Sequence, residues 1–132
     1  MSGFRGSILN RAIPPVSPSQ GIGAALPRKN TEAMIAGASA WYSVLGGTMP
    51  KPCLQLVRAA QSGDMGEALR INHDLQPIWD LFRKYTSYRV VHEMAARLDL
   101  CHVLPPRPIL PVCDAAKQEI AEVVRGLPDE WL

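Results

Sequence analysis

The sequence predicts a mainly helical fold that contains a single strand–helix unit. Three observations predict it. The stretch from Ala38 to Leu45, "ASAWYSVL", is rich in residues that favour extended structure and is followed by Gly46-Gly47 and then Pro50. Downstream of Pro50, apolar residues recur at helical spacing in four separate stretches. Nowhere else does the chain offer a second apolar run bounded by turn residues that could pair with the first.

Taken in order, residues 1–29 are dominated by Gly, Pro and Ser and have no sustained period, so they are expected to form a disordered tail. Arg5, Arg11, Arg28 and Lys29 fall before residue 32 with no acidic partner, a charge pattern shared with organelle transit peptides. Pro14, Pro15, Pro18 and Pro27 interrupt the amphipathic helix that such a peptide needs. The organised domain is expected to span residues 30–132.

A short helix is expected from Asn30 to Ala36, capped by Asn30 or Thr31 and stopped by Gly37. The strand Ala38 to Leu45 follows, with apolar residues on both faces, as in a strand covered on both sides. Pro50 and Pro52 fit only a helix's first turn, and the helix they open runs to Ser62 with Cys53, Leu56, Val57 and Ala60 inward. Gly63 ends it and Asp64 caps the next. That helix is expected from Met65 to Lys84, with Ala68, Ile71, Leu75, Ile78 and Phe82 on one stripe and a kink at Pro77. Trp79 and Leu81 lie off the stripe, which calls for more than one neighbour.

Ser87 is positioned to cap a fourth helix to Leu98, with Val91, Met94, Ala95 and Leu98 inward and Arg89, Glu93 and Arg97 as an exposed ladder. The proline-rich run 99–113 reads as an extended connector. Asp114 is placed to cap a last helix to Arg125, with Ala116, Ile120, Val123 and Val124 inward.

Composition bounds the chemistry. The net charge of +2 gives no electrostatic footprint for nucleic acid or a membrane surface. No apolar run approaches the ~20 residues of a membrane span, and no secretory signal follows Met1. Three cysteines at no recognisable spacing suit reduced thiols in a cytoplasmic protein. His92-Glu93 opens like the zinc pattern H-E-x-x-H, but residue 96 is alanine, and Cys101-His102 with Cys113 lacks a fourth ligand. No metal site or cofactor is expected. The turn "LGGTMP" could cradle a phosphate, but it has neither P-loop nor dinucleotide spacing, and a tight turn needs glycines equally. A Schiff-base lysine needs a desolvated site. Lys29, Lys51, Lys84 and Lys117 lie in the tail or near helix ends, where solvation is expected.

The ordered series Gly37-Ala38, Ser43-Val44, Pro50, Gly63-Asp64, Ala68, Ile71-Asn72, Leu75, Pro77 and Pro105 to Leu110 resembles the carboxyl end of the dihydrodipicolinate synthase / N-acetylneuraminate lyase family over about residues 30–126. The resemblance implies that Ala38 to Leu45 is the eighth strand of a (β/α)₈ TIM barrel, that the later helices are the family's helical extension, and that the barrel is incomplete here. It implies a class I aldolase or lyase chemistry on 2-oxo acids such as pyruvate, through a Schiff base to a lysine on the sixth strand. A tyrosine relays protons on an earlier strand. Neither group has a counterpart in this chain, so no catalytic residue is assigned. Tyr42 would present its backbone carbonyl to the bound keto acid, with Ser43 beside it, and a tyrosine there departs from the smaller aliphatic residue common in the family. Three readings stay open: a carboxyl-terminal portion of such a lyase that is inactive alone, an independent helical interaction module, and one half of a complementing pair. The family's usual homo-oligomer is a further possible partner arrangement.

Overall fold

The computed structural model describes residues 31–34 and 41–132. The expected tail 1–29 and the first part of the expected strand, 38–40, lie outside the described residues. Among the described residues, six helices carry the fold. Residues 31–34 are helical and are called α1. They are followed by α2 (Pro50–Ser62), α3 (Met65–Asp74), α4 (Gln76–Tyr85), α5 (Ser87–Arg97) and α6 (Asp114–Arg125). Short 3-10 turns form at Leu45–Gly47 and Asp129–Trp131.

The strand expectation is corrected over its described part. Among the described residues there is no strand, Val44 adopts helical backbone angles (φ −63°, ψ −39°), and Leu45 already belongs to a 3-10 turn. The physical reason is the lack of a neighbouring strand among the described residues. A strand satisfies its backbone groups only by pairing; no strand is present there, and Ser43 and Leu45 instead accept from the amides of the turn that follows. Gly46 N donates to Ser43 Oγ at 3.2 Å, and Thr48 N and Met49 N both donate to Leu45 O at 3.0 and 2.8 Å.

The helices form largely where the pattern places them. Gly63 closes α2 in the left-handed region at φ 82°, which glycine adopts without a Cβ clash. Asp64 accepts from Glu67 N at 3.0 Å and caps α3. The long helix expected over Met65 to Lys84 is instead two helices hinged at Leu75, because Pro77 has no N–H to continue the ladder and sits in the first turn of α4. Two cap expectations are also corrected. Ser87 is the first residue of α5 and is buried, and Thr86 takes the N-cap position with no side-chain bond. Cys113 takes that position for α6, while Asp114 Oδ1 accepts from Lys117 Nζ at 2.8 Å.

The core lies between α2, α3, α4, α5 and α6. Leu45, Met49, Leu56, Ile71, Leu75, Ile78, Trp79, Leu81, Met94 and Ile120 are buried in one continuous cluster. A satellite cluster of Met34, Ala59, Ala60 and Ala68 seats α1 on α2 and α3, and Trp41 packs against both clusters. α4 packs against α3, α5 and α6, which explains why Trp79 and Leu81 are buried off the main stripe. The connector 98–113 is tied down by side chains: Arg89 donates to Leu110 O and Pro111 O at 2.8 and 2.7 Å, and His92 Nδ1 lies 3.1 Å from Val103 O. Arg89 therefore holds the connector instead of joining an exposed ladder, whereas Arg97 does pair with Glu93 at 2.8 Å.

Candidate functional site

The candidate site is the turn from Trp41 to Pro50. Its shape follows from local chemistry. Pro50 starts α2, Leu45–Gly47 forms a 3-10 turn before it, and Leu45 and Met49, both buried, plug the turn into the core. Trp41 anchors the entry by an edge-on contact with Trp79, ring centroids 6.4 Å apart.

The two residues expected to face a ligand have different fates. Tyr42 is 96% exposed. Ser43 is half-buried; its Oγ accepts from Gly46 N and lies 3.6 Å from Cys53 Sγ. Burial pushes the Cys53 thiol up from its ordinary pKa, opposed by the Ser43 hydrogen bond, so the sulfur remains protonated and is not prepared as a nucleophile. Ser43 thus braces the turn against α2, and among the described residues no carboxylate, imidazole or amine side chain is hydrogen-bonded to Ser43.

The turn is also poorly equipped to hold a phosphate. A helix N-terminus binds anions through its unsatisfied amides. Here Pro50 and Pro52 have no amide hydrogen, and Met49 N is spent on Leu45 O at 2.8 Å. No charged side chain occurs from Ala33 to Pro50. The surface is uncharged and can pack and present main-chain groups.

The lysines point the same way. Glu119 accepts from Lys84 Nζ at 2.8 Å and holds that amine above its ordinary range, and Asp114 does the same for Lys117. A Schiff-base lysine needs the opposite shift. Lys51 is exposed and donates to Leu132 O at 2.6 Å.

A concavity of about 230 Å³ lies between α5, α6 and the connector, lined by Arg89, His92, Glu93 and Lys117 among others. Arg89 and His92 are already engaged with connector carbonyls and Glu93 with Arg97, so its polar groups serve the fold. Among the described residues no group of three or more His, Cys, Asp or Glu side chains is placed to hold a metal ion. No helix among them is long and apolar enough to cross a membrane.

Residues 27–127 match the model of the dihydrodipicolinate synthetase family. The chain belongs to this family. Relatives of the dihydrodipicolinate synthetase type agree with the match. The 4-hydroxy-tetrahydrodipicolinate synthase of Pelobacter propionicus is 32% identical over 93 residues, which is 70% of this chain and 32% of that protein. The crystal structure of dihydrodipicolinate synthase from Agrobacterium tumefaciens superposes with a TM-score of 0.71 at 45% identity, over 74% of this chain and 33% of that one. The chain therefore spans about a third of the length of these dihydrodipicolinate synthetase relatives, and its helical architecture is that of a portion of their fold.

One packing residue was missed from the sequence. Trp131, in the tail "GLPDEWL", is buried and donates from Nε1 to Gln55 Oε1 at 2.9 Å, closing the chain's end onto α2. A large aromatic directly after the acidic pair Asp129-Glu130 was the available signal.

Proposed function

We propose that this chain is a carboxyl-terminal portion of a dihydrodipicolinate synthetase family enzyme. In that enzyme it forms the wall beside the bound 2-oxo acid and does not itself supply the reactive amine. In class I aldol chemistry a neutral lysine condenses with the keto carbonyl, losing water, and the resulting Schiff base activates the neighbouring carbon. The observation that carries the reading is the state of the lysines among the described residues: Lys84 and Lys117 are ion-paired with amine pKa raised, and Lys51 is exposed at the start of α2. Tyr42 and Ser43 are the proposed substrate-side residues, acting through main-chain groups once the turn Trp41–Leu45 is held in a barrel. Cytoplasmic location and use of pyruvate belong to the same proposal.

The test is an aldol assay on the purified chain, following pyruvate consumption with an aldehyde acceptor. No consumption above the uncatalysed rate is expected. Turnover that disappears in Lys51→Ala would overturn the reading.

A second reading, an independent helical interaction module, is favoured by the core itself. α2 to α6 enclose a continuous buried cluster that needs no strand. Cooperative unfolding of the isolated chain is compatible with both readings; a stable complex with a protein outside the family would favour the module.

A further inference from the structure

We propose that the concavity between α5, α6 and the connector binds a small monocarboxylate with a short apolar chain, and that Arg89 receives the carboxylate. The site lies outside the turn Trp41–Pro50, and its occupancy is independent of the aldol chemistry proposed above.

The charge balance of the lining points to an anion. The other charged side chains there each have a partner of opposite sign. Lys117 pairs with Asp114 at 2.8 Å and Glu93 with Arg97 at 2.8 Å, and His102 Nε2 lies 3.0 Å from Asp99 Oδ1. Among the described residues Arg89 has no carboxylate partner. Its Nε and Nη2 donate to Leu110 O and Pro111 O at 2.8 and 2.7 Å, and both acceptors are main-chain carbonyls. Holding the connector therefore spends two of the three guanidinium nitrogens and leaves a half-buried positive charge without a counter-ion. A carboxylate that reaches Nη1 supplies one through a charge-assisted hydrogen bond.

The rest of the lining selects among anions. Ala96, Pro105 and Val112 make an apolar wall, and Val103 and Leu104 line the same concavity yet are 63% and 72% exposed. An apolar chain on the ligand gains by covering them. A volume of about 230 Å³ limits that chain to a few carbons. Glu93 stands in the same lining, so a second negative charge on the ligand is repelled, which disfavours phosphate against a monocarboxylate.

The experiment titrates the full chain, isotope-labelled for backbone amide NMR, with isovalerate, with its neutral amide and with inorganic phosphate at one ionic strength. Saturable shifts at Ala96, Val103 and Val112 are expected with isovalerate, and binding of the amide and of phosphate is expected to be weaker by about tenfold or more. Arg89→Gln is expected to weaken isovalerate by about the same factor. Because Arg89 also holds the connector, a second variant tests the site from another wall: Ala96→Leu fills the concavity, leaves Arg89 in place and is expected to abolish the saturable shifts. An equal response to acid and amide, tighter binding of phosphate, shifts that do not saturate, or isovalerate binding that survives either substitution overturns the proposal.

Discussion

The Thr31 hydroxyl donates to Oδ1 of Asn72 at 2.9 Å, and both residues are buried, 2% and 8% exposed. This bond joins α1 to α3 across 41 residues of sequence. Asn72, in the "IN" pair of the family pattern, thereby holds α1 against α3.

Asn72→Ala is therefore expected to lower stability by about 1–3 kcal/mol, since it removes a buried acceptor from a buried donor. Thr31→Val is expected to cost less, and the double variant less than the sum, with a coupling of about 0.5–1.5 kcal/mol. Urea unfolding of the four proteins measures it.

Backbone conformation sets a pair of opposite expectations. Gly63 has φ 82° and Thr86 has φ 67° with ψ 138°, both outside the comfortable range of residues with a Cβ. Gly63→Ala is expected to destabilise by about 1–2 kcal/mol. Thr86→Gly is expected to stabilise, by up to about 1 kcal/mol, because strain of about 1–3 kcal/mol is relieved against a smaller entropic loss. Gly66→Ala, inside α3 with only Asp64 Oδ1 near the new carbon at 3.7 Å, is expected to stabilise by about 0.5–1 kcal/mol. Thermal unfolding of the three variants beside the parent chain checks both signs.

The cysteines are expected to separate by reactivity. Cys101 and Cys113 are exposed, whereas Cys53 is buried and its thiol is pushed up by that burial. A thiol reagent at pH 8 is expected to label two sites quickly and Cys53 only on unfolding. Mass analysis of labelled peptides checks the order.

One ion pair sets a pH dependence. Glu119 is held below its usual range by hydrogen bonds from Lys84 and Tyr85, which lie 2.8 and 2.6 Å away. A carboxylate with a lowered folded-state pKa contributes stability above its unfolded pKa of about 4.3. That contribution is lost as pH falls through the lower folded value. Glu119→Gln is therefore expected to flatten the stability profile below pH 5 and to leave its shape from pH 6 to 8 unchanged, as read by denaturation at each pH.

Much of this architecture is legible in the sequence, and the exceptions have physical causes. Ala68, Ile71, Leu75, Ile78 and Phe82 repeat at helical spacing and are all buried, because burial of a stripe is a local property of the helix. Gly63 and Asp64 announce the α2–α3 junction for the same local reason. The strand is different. Trp41, Tyr42 and Val44 have the right propensity, but strand formation depends on a neighbour that propensity does not encode. Arg89 and Trp131 were misplaced or missed because their partners lie 21 and 76 residues away in sequence. Of the candidate site, the turn at Gly46-Gly47 and the helix start at Pro50 were legible; the exposure of Tyr42 and the bracing role of Ser43 required the packing of α2.

The most direct measurement treats the isolated chain with pyruvate and borohydride, then maps its mass peptide by peptide. Reduction would lock any Schiff base onto its lysine. The expected result is no adduct on Lys51, Lys84 or Lys117, as follows from Lys84 and Lys117 being ion-paired and Lys51 being exposed. A stoichiometric pyruvyl adduct on any one of them would contradict the claim that this chain shapes the wall of a 2-oxo acid site without carrying its reactive amine.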